Sequence, residues 1–277
     1  MPEGDTVWRT AHGLHLALAG ERLTGCELRT PRLATADLTG RVVNEVVARG
    51  KHLMLRVDGP LTLHSHLGMD GAWRLYAAGE RFRGGPGHQI RAILSTASRT
   101  AVGYRLAALD LMRSQDEDRL VGHLGPDLLG PDWDPEEARR LLLTAPTRPL
   151  GEALLDQRNL AGIGNVYKSE LCFLIGVTPW LPVGETPSLE RLVDLGEKLL
   201  RANRGRWDRV TTPSPHPGQR LWVYGRNGRP CLRCGAAVRR SGGQGPVGEE
   251  RVTYWCPGCQ RGPGPPVGRP SPSARSG

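Results

Sequence analysis

Four cysteines near the C-terminal end form two pairs whose spacing suits metal binding. Cys231 and Cys234 make one C-x-x-C pair and Cys256 and Cys259 make the other, with 21 residues between the pairs. Each pair can direct two thiolates at one ion, and two pairs complete the tetrahedral four-sulfur site of structural zinc. The sequence therefore predicts one Zn²⁺ without an open coordination position. Because this segment has little apolar content, we expect it to need the metal to fold.

The N-terminal residues offer a different chemistry. If the initiator methionine is removed, Pro2 becomes a secondary amine at the N-terminus, with the carboxylate of Glu3 beside it. Such an amine can attack C1′ of a sugar, displace the base and form an iminium that accepts electrons during β-elimination. A proline at this position carries little information alone. It gains meaning together with Lys51, the four cysteines and the glycine-rich segment described next.

The sequence GIG at 162–164 separates two predicted helices within residues 151–177. Asn165 is a residue type that begins helices well, and the free N–H groups at a helix start can bind an anion. Glycines also let a phosphate come close to the backbone. The segment predicts either a phosphate-binding hairpin or an ordinary helical hairpin with a glycine turn.

The composition favours a polyanionic partner. The chain of 277 residues has 37 Lys and Arg against 28 Asp and Glu, which gives a formal net charge of +9. Only three of the basic residues are lysines, and arginine is the better bidentate ligand for phosphate. An excess of this size suggests nucleic acid or an anionic membrane surface as the partner.

Targeting and membrane segments are not expected. The N-terminal stretch is polar and acidic, unlike a signal peptide, and no window of about 18 apolar residues could cross a membrane. We therefore expect an intracellular protein whose thiols stay reduced. Cys26 and Cys172 have no partner at a metal-binding spacing, so we expect both to be small buried apolar residues.

The first group of elements is a β-rich domain over residues 1–125. An apolar stripe predicts a helix over residues 5–19. Alternating apolar residues predict successive strands within 41–76 and again within 90–111, with a turn at 58–60.

A helical domain is predicted over residues 126–225. Asp134, followed by proline and two acids, begins a helix that runs to about residue 144. Thr186 and Pro187 begin another helix, which ends near residue 205.

The remaining segments are a loop and two short C-terminal parts. Residues 205–220 are loop-like in composition, and residues 226–260 contain the predicted zinc finger. Residues 261–277 are rich in Pro, Gly and Ser and contain no acid, which predicts a disordered tail.

Taken together, these features resemble the formamidopyrimidine-DNA glycosylase/endonuclease VIII family. The resemblance covers about residues 1–260, and the motifs follow the family's order: MPEG, RGKHL, SHLGM with GAW, LLDQRNLAGIGNVY, and a finger ending in YWCPGCQ. The MPEGDT opening and the stretch 251–256 are similar to the endonuclease VIII branch, particularly its actinobacterial members. The resemblance implies an α+β fold: an N-terminal β-sandwich domain with an N-terminal helix, a domain with a helix–two-turn–helix, and a four-cysteine zinc finger.

The resemblance also implies roles for individual residues. Pro2 corresponds to the Schiff-base nucleophile, and Glu3 to the general acid that assists opening of the sugar ring and then moves protons. Lys51 corresponds to a lysine that contacts phosphate and serves β-elimination. Arg251 corresponds to the finger arginine that binds the lesion phosphates and assists δ-elimination, and Asn165 to an asparagine that binds a backbone phosphate.

A base that leaves the DNA stack must be replaced by a protein group. Met69 aligns with the family's intercalating wedge, and its alternative role is a hairpin residue packed on Trp73. Three positions depart from the family pattern. Gly68 lies where relatives often have a gap-filling side chain, Asp70 is acidic where stacking would be expected, and His123 lies where a DNA-contacting arginine is often found. These departures concern how the gap is filled, not the chemistry.

The sequence thus predicts a bifunctional DNA glycosylase/AP lyase that flips out and excises oxidised bases, pyrimidines above all, and then cleaves the strand by β,δ-elimination. Its partner is damaged DNA; we expect a monomer in the bacterial cytoplasm, associated with the nucleoid on DNA, without a membrane or small-molecule cofactor. One alternative is a non-catalytic DNA-binding paralogue, which would have lost Pro2 or Glu3. Another is an RNA-binding or ribosome-associated protein, which gives no reason for the N-terminal Pro-Glu with Lys51.

Overall fold

The computed structural model describes residues 2–242 and 252–265. Arg251 and the predicted tail from residue 266 onward therefore lie outside the described residues. Within them, the chain forms a β-rich N-terminal part, a helical middle part and a small cysteine-containing part.

The N-terminal part is one helix against two four-stranded antiparallel sheets. Helix α1 spans Gly4–Leu18 and buries the predicted apolar stripe. The strands are β1 (Gly25–Leu28), β2 (Val43–Arg49), β3 (His52–Val57), β4 (Leu61–His66), β5 (Ala72–Ala77), β6 (Ile90–Ser95), β7 (Arg99–Tyr104) and β8 (Ala108–Arg113). Their order is β1-β6-β7-β5 in one sheet and β2-β3-β4-β8 in the other.

The alternation of apolar residues in β3 explains how the sheet packs against α1. Leu53, Leu55 and Val57 point into the same core as the stripe of α1, as their spacing predicts. The opposite face of this sheet is polar, with His52 and His64 on it. The predicted turn at 58–60 joins β3 to β4.

The helical part begins after β8. Its helices are α2 (Asp118–Val121), α3 (Pro135–Leu143), α4 (Leu150–Leu155), α5 (Asn165–Ile175) and α6 (Leu189–Asn203). Asp134 caps α3 as predicted, because its Oδ1 accepts hydrogen bonds from the backbone N–H groups of Glu136 and Glu137 at 2.9 and 3.0 Å. Helix α6 begins later than predicted: Ser188 is its N-cap, so Thr186 and Pro187 precede the helix.

The C-terminal part is a short hairpin with the four cysteines. Strand β9 (Arg239–Ser241) pairs with β10 (Thr253–Trp255), and the part packs on α5 through Phe173. The predicted disorder from residue 261 is wrong at its start. The N–H of Arg261 donates to the carbonyl of Gly176 at 2.8 Å, and the Thr178 hydroxyl donates to the carbonyl of Pro263 at 2.8 Å.

Two further expectations can be compared with the fold. Cys172 is buried in α5 as predicted, and burial raises the pKa of its thiol to about 12. Cys26 is only half-buried, because β1 is the edge strand of its sheet. Over the described ranges, no helix combines the length and apolar character that crossing a membrane requires.

Candidate active site

The side chain of Glu3 reaches the start of α5 and is fully buried there. Its carboxylate accepts hydrogen bonds from the backbone N–H groups of Gly164 at 3.0 Å, Val166 at 2.8 Å and Tyr167 at 3.3 Å. A helix start is an anion site, as the sequence predicts, but the anion is a carboxylate of the same chain. The N-cap residue is Gly164, and the side chain of Asn165 makes no capping hydrogen bond.

The glycines around this carboxylate allow three segments to come into contact. The N–H of Gly4 donates to the carbonyl of Gly162 at 2.9 Å, and a Cβ on Gly4 would lie 2.9 Å from the Gly162 Cα. A Cβ on Gly50 would lie 3.1 Å from the Ala161 Cβ. Residues 161–164 thus contact both the start of α1 and the turn between β2 and β3. This contact brings Pro2, Glu3 and Lys51 to one junction.

Pro2 and Lys51 are both half-buried at this junction. Lys51 follows Gly50, whose N–H donates to the carboxylate of Asp127 at 2.7 Å. Asp127 also accepts the N–H of Leu129 at 3.0 Å, and burial raises the pKa of its carboxyl group. The turn that carries Lys51 is therefore fixed to the helical part by a buried hydrogen bond.

A buried ion network lies behind Glu3. Arg209 donates to Asp5 through Nε at 2.7 Å and Nη2 at 2.5 Å, and Tyr167 donates its hydroxyl to the same carboxylate at 2.9 Å. Nη1 of Arg209 also lies 4.0 Å from Oε1 of Glu3. Burial opposes ionisation of Asp5, but the hydrogen bonds and charge of Arg209 outweigh it and lower its pKa. The network holds two carboxylates and one guanidinium next to Pro2.

Sequence analysis missed this network. Asp5 and Arg209 are 204 residues apart, and Arg209 belongs to no recognisable motif. The acid in the MPEGDT opening was visible, but its partner lies in a stretch that the composition assigns to a loop. No local pattern in the sequence pairs the two residues.

A chain of histidines lies on the polar face of the second sheet, next to Lys51. Nδ1 of His52 lies 3.0 Å from Nε2 of His64, and Nδ1 of His64 lies 3.2 Å from a carboxylate oxygen of Asp110. Burial, with the neighbouring histidines and Lys51, lowers the pKa of His52 to about 3. His52 is therefore neutral near pH 7. His123, the predicted DNA contact, is exposed and close enough to contribute to that shift.

The loop between β4 and β5 presents Met69 to solvent. Met69 is 68% exposed, so most of its side chain is accessible to a partner. Gly68 has φ 63°, and a Cβ there would lie 2.6 Å from the Cβ of Ala107. The absence of a gap-filling side chain at 68 thus has a local steric reason. The carboxylate of Asp70 lies 3.3 Å from Nε of Arg105, so its charge is paired.

Helix α5 also holds the cysteine hairpin. Nδ2 of Asn165 donates to the carbonyl of Val252 at 2.6 Å, and Nζ of the buried Lys168 donates to the hydroxyl of Thr253 at 2.7 Å. Asn165 thus fixes the residue that follows Arg251 in the chain. Lys168 is a second residue that sequence analysis did not assign.

The four cysteines converge as their spacing predicts. Their Sγ atoms all lie within 4.8 Å of one another; Cys231 and Cys259 are 3.8 Å apart, and Cys234 and Cys256 are 3.5 Å apart. Four sulfurs bound to one zinc ion at about 2.3 Å would lie roughly 3.8 Å apart. The cluster can therefore hold a metal ion with four thiolates and no open position.

Comparison with known proteins relates the whole chain to DNA repair enzymes. Residues 1–125 match the family model for the formamidopyrimidine-DNA glycosylase N-terminal domain. A Streptomyces coelicolor protein named "Probable endonuclease 8 2" is 65% identical over 97% of this chain and 98% of its own length. A DNA-(apurinic or apyrimidinic site) lyase of Mycolicibacterium smegmatis is 50% identical over 94% of this chain and 99% of its own length.

Solved structures show the same fold. The crystal structure of Lactococcus lactis formamido-pyrimidine DNA glycosylase, non-covalently bound to DNA that contains an AP site, has a TM-score of 0.76 to this chain. The match covers 94% of this chain and 100% of that one at 23% identity. At this identity the match concerns the fold, and it confirms the predicted α+β architecture with its N-terminal helix, β-sandwich and helical part.

Proposed function

Since this chain belongs to the formamidopyrimidine-DNA glycosylase/endonuclease VIII family, we propose that the junction at Pro2, Glu3 and Lys51 is its catalytic centre. The protein is a bifunctional DNA glycosylase and AP lyase of base excision repair. The observation that carries the assignment of residues is the carboxylate of Glu3, buried at the start of α5 beside the half-buried Pro2.

Pro2 is the nucleophile in this proposal. Its secondary amine forms a bond to C1′ of the damaged nucleotide while the bond between C1′ and the base breaks, and the amine proton goes to the departing base. The nitrogen lone pair then expels O4′ and forms the C1′ iminium. Glu3 supplies the proton that O4′ takes up as the ring opens.

The environment of Glu3 suits a group that moves one proton. A carboxylate has about four acceptor positions, and three backbone N–H groups occupy three of them. The remaining position can face the sugar. The fixed donors also hold the carboxylate in place while charge develops on the neighbouring nitrogen.

Strand cleavage follows from the iminium. Loss of a proton from C2′ lets electrons flow to the iminium while the C3′–O bond to phosphate breaks, and loss of a proton from C4′ leads in the same way to cleavage at C5′. We assign Lys51 to the first elimination and Arg251 to the second, with Asn165 on a backbone phosphate. The bond from Asn165 to the carbonyl of Val252 supports this assignment, because it ties α5 to the residue next to Arg251.

Met69 is the wedge that fills the space of the extruded base. Its exposure at the end of a loop supports this role, since the side chain is free to enter an opened base step and an apolar group suits an unstacked step. Gly68 lets the loop turn, and His123 contacts the DNA near Lys51. Gly68 itself adds no side chain that could fill the gap.

The four cysteines hold one structural Zn²⁺ in this proposal. The thiolate donor set and the Sγ spacings support zinc over a hard cation, which would prefer oxygen ligands. The bound ion would fix the hairpin that carries Arg251 and Val252.

The proposal also covers the excised base, the oligomeric state of the enzyme and its location in the cell. The resemblance to the endonuclease VIII branch favours oxidised pyrimidines as the excised bases. The enzyme acts as a monomer on damaged DNA in the bacterial cytoplasm, at the nucleoid, and uses no small-molecule cofactor.

The experiment is borohydride trapping on an oligonucleotide with one oxidised pyrimidine, with an abasic oligonucleotide in parallel. Borohydride reduces the iminium and leaves a covalent protein–DNA adduct. We expect adducts on both substrates with the native chain and neither with Pro2→Thr, while salt-dependent DNA binding persists. Pro60→Thr, in an exposed turn, is the matched control and should trap like the native chain.

Each result has a separate meaning. Adducts on the abasic substrate alone would support the lyase activity and would show that oxidised pyrimidines are not the excised bases. Full trapping by Pro2→Thr would show that the secondary amine of Pro2 is not required. No adduct with the native chain would favour a DNA-binding protein without turnover.

A further inference from the structure

Trp207, in the segment that follows α6, is 89% exposed. The guanidinium of Arg9 lies 4.5 Å from the centre of its ring, and Nη1 of Arg9 donates to the carbonyl of Arg206. Arg9 therefore supports one face of the indole and fixes its orientation. The large exposed area leaves the ring open to a further stacking partner.

Trp207 borders a cleft of about 600 Å³ between α1 and β5, which we call the Trp207 cleft. The cleft has apolar walls, among them Leu67 and Trp73, and its rim carries Arg9, Arg74 and Arg83. Apolar walls with a cationic rim suit a planar, weakly polar group attached to an anion.

The charge around the cleft is one-sided. Arg9, Arg74 and Arg83 form no ion pair with any carboxylate in the part of the chain that the structure describes. Glu80 is the acid among the described lining residues, and its carboxylate accepts the backbone N–H of Ala77 at 3.0 Å. Arg74 and Arg83 thus offer positive charge that no ion pair among the described residues offsets, whereas the charge of Arg9 is partly offset by Asp5 and Asp208.

The cleft is continuous with the proposed DNA-binding surface. Leu67 and Gly71, which flank the Met69 loop, form part of its wall, and Thr6 forms another part close to Glu3. A nucleotide next to the step that Met69 opens would therefore be near the cleft. The neighbouring pair, Arg204 stacked on Trp8 at 4.7 Å, extends the same arrangement of arginine and tryptophan.

We propose that the Trp207 cleft binds an unpaired nucleotide of the DNA, with its base stacked on Trp207 and its phosphates near the arginine rim. Paired bases inside a duplex present no free face, so this surface favours single-stranded or opened DNA beside the lesion. The inference rests on the proposed function only in taking DNA as the partner. It adds a preference for unpaired DNA and the residue that produces it.

The test compares binding of an undamaged, labelled oligothymidylate with binding of an undamaged duplex, by fluorescence anisotropy. One base–aromatic stack contributes about 1–3 kcal/mol, so Trp207→Ala should weaken binding of the single strand about 10-fold. Binding of the duplex should change less than about 2-fold by the same argument. Trp207→Phe keeps an aromatic face and should recover most of the affinity, and Leu143→Ala, another exposed apolar residue, is the matched control.

A second variant covers the case in which Trp207→Ala perturbs folding. Arg83→Gln should lower the slope of log K against log salt by about 0.7 for the single strand, because one phosphate contact is lost. Unchanged single-strand binding by Trp207→Ala, an equal loss on duplex and single strand, or an unchanged salt slope for Arg83→Gln would each overturn the proposal. Borohydride trapping of the native chain on an abasic single strand is run in parallel. Its failure would overturn the catalytic assignment and leave the binding result interpretable.

Discussion

Glu3 is held by more backbone donors than any other residue at the proposed centre. Three N–H groups at the start of α5 bind its carboxylate, and Arg209 lies 4.0 Å away. A carboxylate fixed in this way can act only on a sugar that lies next to its fixed position. Its function therefore depends on the whole set of contacts and not on its charge alone.

Replacing the carboxylate tests this dependence. In Glu3→Gln the amide N–H₂ cannot accept from the backbone donors or supply the proton to O4′, so base excision should fall by about 10²- to 10⁴-fold. The rate of base release under single-turnover conditions is the measurement. Glu136→Gln, an exposed acid in the first turn of α3, should leave the rate unchanged. A Glu3→Gln enzyme with the native rate would remove Glu3 from the chemistry.

Arg209 is the residue on which the buried network depends. Arg209→Ala leaves the carboxylate of Asp5 without its cation, which should cost about 3–5 kcal/mol in free energy of unfolding near neutral pH. Arg220→Ala breaks a more exposed pair with Asp208 and should cost less than about 1 kcal/mol. Denaturant unfolding of the two variants provides the comparison.

The same variant should reveal the pH dependence of this network. Arg209 holds the pKa of Asp5 below its ordinary value of 3.8, so the ion pair stabilises the native state above about pH 4 and loses this effect as pH falls. Without Arg209, burial instead disfavours the ionised Asp5 above that pH. The difference in unfolding free energy between the native chain and Arg209→Ala should therefore shrink below about pH 4. A difference that stays constant with pH would show that the two residues are not coupled.

At the scale of elements, α5 joins Glu3, the proposed general acid, to the cysteine hairpin. Its first turn binds Glu3, and the side chains of Asn165 and Lys168 reach Val252 and Thr253. A small shift at the start of this helix would therefore displace both the carboxylate of Glu3 and the cysteine hairpin.

Gly164→Ala is the most direct test of that helix start. Its backbone is extended, so alanine brings no conformational strain, but a Cβ would lie 2.4 Å from the Cδ of Glu3. The carboxylate must move, and we expect at least about a 10²-fold loss of excision, as for a misplaced catalytic group. Gly87→Ala meets no atom within 4 Å and should behave like the native chain. A fully active Gly164→Ala would mean that the observed position of Glu3 is not needed.

Local patterns predicted the elements that local chemistry determines. The stripe of α1, the alternation in β3 and the cap at Asp134 each depend on a few neighbouring residues, and each was predicted correctly. The start of α6 was placed two residues early, because Ser188 competes with Thr186 as a cap. Contacts between distant segments, such as Arg209 with Asp5, have no local pattern and needed the structure.

The same difference between local patterns and long-range contacts applies to the proposed catalytic centre. The MPEG opening and the cysteine pairs pointed to Pro2, Glu3 and the metal site, because motif spacing is itself local. The start of α5 binds an anion, as one of the two interpretations of this segment expected, but the sequence could not show that the anion would be the carboxylate of Glu3. Phosphate binding by Asn165 stays a prediction. The roles of Pro2, Lys51 and Arg251 remain proposals.

At the scale of the whole molecule, the metal should control more than the hairpin. Removal of zinc with a chelator should release one ion per chain and unfold the cysteine part, since its apolar core is small. The bonds from α5 to Val252 and Thr253 would be lost with it, so DNA binding and strand cleavage should fall together. Metal analysis, circular dichroism and cleavage of an abasic duplex measure the three effects. Cys256→Ser should reproduce them and Cys26→Ser should not; a zinc-free chain with native cleavage would contradict the structural role.

With the proposed assignment of Pro2 and Glu3, the contacts of Glu3 and Asp5 also determine when during its synthesis the protein can become active. Pro2 is among the first residues to leave the ribosome, but its carboxylate neighbours bind residues 164–167 and Arg209, which are made much later. At about 5–20 residues per second, roughly 10–40 s of synthesis separate the two. A nascent chain from which Met1 has been removed thus carries the amine of the proposed nucleophile without the groups that we propose direct it. The long separation makes the complete centre a late product of folding, and it leaves truncated products of translation without the power to cut DNA.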